Sequence, residues 1–195
     1  AHLPYGEISS YAELAFEVLA PFFEGDPLHP DLAEICAEAF NFPVPLYPLS
    51  PQEMVLELFW GPTAAFKDFG ARFLASAMER ILRQRGEKLT ILVATSGDTG
   101  GAVAAAFAGK EGITVKVLYP KGRVSARQKQ QLTCWGGNIE AYEVDGSFDD
   151  CQRMVKEAFM NKGLSMAHNL SSANSINLGR LLPQSVYYVY ASQIF

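Results

Sequence analysis

From residue 89 onward the chain alternates between short apolar runs and amphipathic ones, a regularity that few folds accommodate. "LTILVAT", "ITVKVLYP" and "NIEAYEVD" read as strands, and "LSMAHN" is a further strand candidate; "GGAVAAAFAGKEG", "SARQKQQLTCWGG" and "FDDCQRMVKEAFMNKG" read as helices. Strands that are apolar at consecutive positions are buried on both faces. A helix between two strands returns the second to the same end of the sheet, so the pairing is parallel and the crossovers are right-handed. The expected fold is α/β, a parallel sheet between two layers of helix. Ligands in such sheets bind at the carboxyl ends of the strands, so the residues there are the ones to read for chemistry.

The first half is less regular. "YGEISSYAELAFEVLA" places Ile8, Tyr11, Leu14, Ala15 and Val18 at helical spacing, and Ser9 or Ser10 with Glu13 resembles a capping box. A proline-rich passage, "FNFPVPLYPLSP", reads as a link into the strand-like "MVLELF", and the composition shift near residue 50 marks a boundary. At 195 residues, 49% of them hydrophobic, the chain can bury a real core. A net charge of -5 with no basic run argues against a nucleic-acid partner, and no apolar stretch approaches the ~20 residues of a membrane span. Cys36, Cys134 and Cys151 are odd in number and lack CxxC spacing, which argues against a disulfide framework or a zinc site and for a reducing, cytoplasmic setting. The start has no secretory pattern. It also lacks a methionine, and "SVYYVYASQIF" stops inside an apolar helical pattern, so the chain reads as a piece of a longer protein.

Four stretches hold the residues suited to chemistry. In "LFWGPTAAFKDFG", Phe66, Phe69, Phe73, Ala77 and Ile81 fall at helical spacing, which puts Lys67 in or just before the first turn of a helix. The helix dipole and the neighbouring aromatics both disfavour a cation there, the setting in which a lysine becomes a nucleophile or Schiff-base former. A snorkelling surface lysine is the alternative. Asp68 could cap the helix or counter the charge. The strand end "ATSGDTGGAVAAAF" opens a helix at Thr99, Gly100 and Gly101, whose free amides attract a phosphate or carboxylate unless the glycines only make a turn. "NLSSANSINLGRLLPQ" gathers amides, hydroxyls and Arg180 at a helix start, suited to a phosphate or to ordinary capping by Ser172, Asn174 or Ser175. "YPKGRVSARQKQQL" adds Lys121, Arg123 and Arg127, which also read as a solvated basic face. The glycine spacing fits neither GxxxxGK[ST] nor GxGxxG, and Ser96 lacks the glycine that precedes a GxSxG nucleophile.

Together, "LELFWGPTAAFKDFG", "VATSGDTGGAVAAAF", "LYPKGRVSARQKQQL" with "GGNIEAYEVDGSFDDCQRMVKEAF", and "NSINLGRLLPQ" resemble, in this order, the threonine synthases, pyridoxal-phosphate enzymes of fold type II. The resemblance runs from about Leu3 to Tyr190 and lies with the long bacterial and fungal branch. It implies the three-layer fold of the tryptophan synthase β-like class, incomplete here at both ends. Residues 1–50 would be the remnant of an N-terminal helical region and linker, 51–87 the start of the large domain, 88–170 the small α/β domain and 171–195 a helix returning to the large one.

The resemblance also implies roles. Lys67 would carry the pyridoxal 5'-phosphate through its amine and shuttle protons. Ser96, Gly97, Asp98, Thr99 and Gly100 would face the cofactor ring hydroxyl and the substrate α-carboxylate. Asn174, Ser175, Asn177 and Arg180 would bind the phosphate of O-phospho-L-homoserine, with Lys121 a further candidate for that group. No metal is implied. The activity would convert O-phospho-L-homoserine and water to L-threonine and orthophosphate, in a full-length monomer or homodimer; the alternatives are a phospho-lyase acting on another phosphorylated hydroxyamino acid, or an inactive fragment. Trp60 stands where the family more often has histidine, Ala64 where it more often has leucine, and Asp98 where many fold type II relatives carry asparagine. The family's glycine-rich cradle for the cofactor phosphate would lie downstream of Phe195, so this chain alone would bind cofactor weakly.

Overall fold

The computed structural model describes residues 10–174 and 177–194. Helix α1 (Tyr11–Leu19) begins at Ser10, whose hydroxyl accepts from the Glu13 amide at 3.2 Å, which makes Ser10 its cap. Helix α2 (Leu32–Ala39) follows in a stretch without a clear pattern in the sequence. The proline-rich passage is more than a link: Leu46–Ser50 forms β1, paired antiparallel with β2 (Glu53–Leu56). Pro48 is tolerated because a two-stranded ribbon is all edge. Helix α3 (Lys67–Arg85) starts at the lysine and ends on Gly86, whose φ of 65° closes it in the left-handed region.

The expected parallel sheet is present. β3 (Leu89–Ala94), α4 (Asp98–Phe107), β4 (Ile113–Pro120), α5 (Ala126–Thr133), β5 (Ile139–Val144) and α6 (Phe148–Met160) alternate as the patterning predicts. The run expected as a strand at "LSMAHN" is instead helix α7 (Lys162–His168). Asn161 starts it by accepting from the Leu164 amide at 3.1 Å, and Asn169, at φ 45°, ends it. Leu164 and Met166 are exposed, so their alternation marks no buried face. Only Leu170–Ser171, β6, joins the sheet, against Thr90 and Ile91. The strand order is β5-β4-β3-β6, and helix α8 (Leu178–Ile194) runs back across α3.

Three layers result. Ile91, Val93, Val115 and Val117 face α3 and α4, burying Ala71, Leu74, Val103 and Phe107. Leu92 and Leu118, on the other face, meet Cys151 of α6. A second core joins Leu14, Leu32 and Ile35 of the first two helices to Phe69 and Phe73 of α3 and Val186 and Tyr187 of α8. Helix α3 thus belongs to both cores, and its first residue is Lys67. Among the described residues no helix is long and apolar enough to cross a membrane.

Candidate active site

The loop before Lys67 is wired by Asp68. This carboxylate is wholly buried and accepts two bonds from Thr63, from the amide at 2.9 Å and from the hydroxyl at 2.6 Å. Gly61 lies so close that an added Cβ would sit 2.5 Å from Asp68 Oδ2. Burial pushes the Asp68 carboxyl up from its ordinary range, and the bonds from Thr63 oppose that rise. Asp68 therefore organises the turn; it forms no ion pair with Lys67. The lysine is left with its Nζ 4.6 Å from the centroid of the Phe66 ring. It opens onto a cleft of about 560 Å³ walled by Phe59, Phe66, Tyr187 and Tyr188, with Asp98 also on its lining. Trp60 stacks on Phe59 and donates its indole N–H to Glu57 at 2.6 Å, outside that lining.

Asp98 arrives there from the second loop, at the carboxyl end of β3. Thr95 holds this loop: its hydroxyl oxygen accepts from the amides of Gly97 at 3.0 Å and Gly100 at 2.8 Å. Gly97 has φ 147°, and a Cβ there would lie 2.2 Å from Gln128 Nε2, so two independent constraints require glycine. With those amides taken, Asp98 and Thr99 head the helix, where amides lack intrahelical partners. Ser96 and Thr99 face a second cleft, of about 220 Å³, together with Ser172, Asn174, Gln152 and Lys156. The start of α4 therefore has Asp98 on the lysine cleft and Ser96 and Thr99 on its neighbour.

The remaining candidates are placed differently. Asn177 spends its side chain on the start of α8, accepting from the Gly179 amide at 2.8 Å, and Ser175 lies outside the described residues. Arg180 is 1% exposed and turned inward, with Nη1 donating to the Ala173 carbonyl at 2.8 Å and Nε without a partner among the described residues. Burial lowers its pKa from the ordinary value. Lys121 follows β4, with its amide bonded to the Val144 carbonyl at 2.8 Å and its side chain exposed outside both clefts. So Lys67 with Asp98, and Ser96 and Thr99 with Asn174, are brought together, while Asn177, Arg180 and Lys121 are not on either lining.

Sequence reasoning missed Thr95, Gln128, Gln131 and the two tyrosines of α8. Ser125 with Gln128 has capping-box spacing, a visible signal for the glutamine's place though not for its second bond. Thr95 is local to the loop it holds, whereas Gln131 and the tyrosines are distant in sequence from the Lys67 loop and carried no local signal.

Comparison with known proteins gives the family of the chain. The pyridoxal-phosphate dependent enzyme family matches residues 54–180. Threonine synthase from Haemophilus influenzae is 47% identical over 92% of this chain and 42% of its own length, and that from Escherichia coli is 48% identical over 87% and 39%. The crystal structure of pyridoxal-phosphate-bound threonine synthase from Brucella melitensis superposes with a TM-score of 0.90 at 44% identity, covering 95% of this chain and 41% of that one. The Escherichia coli threonine synthase structure gives a TM-score of 0.86 at 43% identity, over 95% and 43%. The chain spans about two fifths of the length of the relatives it matches. It belongs to the pyridoxal-phosphate-dependent enzyme family, and within it is similar to the threonine synthases.

Proposed function

We propose that the chain is the lysine-bearing part of a cytoplasmic threonine synthase, which converts O-phospho-L-homoserine and water to L-threonine and phosphate. The observation that carries this reading is the cleft shared by Lys67 and Asp98, set beside a second one lined by Ser96, Thr99 and Asn174. The lysine cleft fits a pyridoxal phosphate ring: it has aromatic walls, an amine without an ion-pair partner among the described residues, and one carboxylate. Elsewhere in the chain Cys36, Cys134 and Cys151 are free thiols, which accords with a reducing compartment.

When bound, the cofactor withdraws electrons from the substrate α-carbon and so makes its proton removable. Lys67 Nζ would hold the cofactor and would take and return protons on the substrate carbons. Asp98, on the same cleft, would face the ring hydroxyl. The hydroxyls of Ser96 and Thr99 and the amides that open α4 orient the α-carboxylate, since uncommitted N–H groups at a helix start attract an anion. Of the residues expected to receive the leaving phosphate, Asn174 is on the second cleft and fits that role, Ser175 lies outside the described residues, and Asn177, Arg180 and Lys121 lie off both linings; donors fixed in advance would stabilise the growing charge. Water adds at the β-carbon after phosphate has left. Residues 51–87 and 171–195 form part of the large domain in this reading, and 88–170 the small one.

In the full-length protein that carries this chain, Lys67→Ala is expected to abolish phosphate release from O-phospho-L-homoserine and the absorbance band of bound cofactor. Undiminished release in that variant would reject the reading, and so would a wild-type product other than threonine.

A further inference from the structure

Helix α5 carries two glutamines one turn apart that reach the two loops of the candidate site. The orientation of Gln128 is not free. Its Oε1 accepts from the Ser125 amide at 3.0 Å as half of the capping box, which turns Nε2 to Asp98 Oδ1, also at 3.0 Å. Gly97 leaves the space in which that amide lies. Gln131, three residues on, donates from Nε2 to the Thr63 carbonyl at 3.2 Å. Thr63 bonds Asp68, the neighbour of Lys67. Between the two glutamines' reach, Leu132 is wholly buried and meets α4 at Gly100, where a Cβ would lie 2.9 Å from its Cδ2. The helix is therefore seated, and neither glutamine has to order it.

We propose that Gln128 and Gln131 are positioning residues that set the separation of Lys67 and Asp98 across their shared cleft. One rigid turn of helix holds both loops, so neither can shift without stretching a bond to the other's support. A capping role alone would need only Ser125 and the acceptor oxygen of Gln128. The donor to Asp98 and the donor to Thr63 are surplus to that role, and each ends on a loop that carries a candidate group. This rests on Lys67 and Asp98 being the cofactor-facing pair; it does not depend on which phosphorylated substrate is turned over.

Gln128→Glu separates the two roles, because glutamate keeps the capping-box acceptor but cannot donate to Asp98. In the full-length protein, amide hydrogen exchange at residues 96–101 should quicken about tenfold, the loss of one such bond at about 1.4 kcal/mol, with α5 unchanged. The absorbance maximum of bound pyridoxal phosphate should shift, and kcat should fall more than KM changes. Gln131→Glu should quicken exchange at 61–68 instead. Adding Asp98→Asn to Gln128→Glu reverses donor and acceptor and should return protection to 96–101. Unchanged exchange in both loops, or faster exchange confined to α5, would overturn the proposal. A protein that made no threonine would still show these exchange patterns if the proposal holds, so its failure and that of the functional reading are distinguishable.

Discussion

The two loops that present Lys67 and Asp98 are each held by one buried side chain, but the two holders differ in kind. Asp68 grips the first loop with a carboxylate, and Thr95 grips the second with a neutral hydroxyl. A carboxylate offers more acceptor sites and stronger bonds, at the cost of taking a charge out of water. That cost appears as the raised pKa of Asp68. A group whose folded value lies above its unfolded one binds protons more readily when folded, so the ionisation of Asp68 opposes folding and acid relieves that opposition. Thr95 holds its loop equally at any pH. The lysine loop thus has the stronger and more pH-sensitive fastening, and the glycine loop the weaker and more constant one.

The largest expected effect is at the charged fastening. Asp68→Ala leaves the Thr63 amide and hydroxyl without acceptors in a buried place, and should cost about 3 kcal/mol in denaturant unfolding. A cost below that of the Thr95 variant would invert the comparison. Thr95→Val keeps the shape but removes the acceptor for two amides, and should cost about 2 kcal/mol, with faster hydrogen exchange at 96–101. The smallest effect is at the surface. Glu38 accepts from Arg80 at 2.8 Å and from Ser76 at 2.5 Å, and these bonds lower its pKa to about 2. Its sign is opposite to that of Asp68: stability is present above the unfolded value, roughly 4.3, and is lost as pH falls towards the folded one. Because Glu38 is half exposed, solvent screening limits this to no more than about 1 kcal/mol. Wild type should exceed Glu38→Gln above that window and match it near pH 2, by thermal unfolding across a pH series.

Much of this architecture was legible in the residues, for a reason that also marks where reading fails. The sheet strands are continuous runs such as "LTILVAT" whose burial on both faces leaves an unmistakable pattern, and the helix starting at Lys67 repeats its aromatics at helical spacing. Helix α7 defeats the same logic, because none of its seven residues is buried and so they have no period to show. The strand within "FNFPVPLYPLSP" was hidden by prolines that an edge ribbon tolerates. Within the candidate site, motif order singled out Lys67 and the SGDTG loop, since the residues of each motif are consecutive in sequence. The bonds that arm them, from Gln128 thirty residues away and Gln131 sixty-eight away from its partner, are products of packing alone. For Asp68 the sequence left capping and charge-pairing open, and the structure decides for the turn.

The crossing of α3 and α8 carries a consequence for how the chain is made. At Gly70, one turn beyond Lys67, a Cβ would lie 2.6 Å from the Arg180 carbonyl oxygen, and Phe69 packs on Tyr187 at 5.5 Å between ring centroids. The seat of the lysine is therefore completed by residues translated long after it. At about 5–20 residues per second, the ribosome needs on the order of ten seconds between the two. Until α8 emerges, the helix that begins with Lys67 keeps one face uncovered, and the aromatics beside the amine stay open to water and to chaperones.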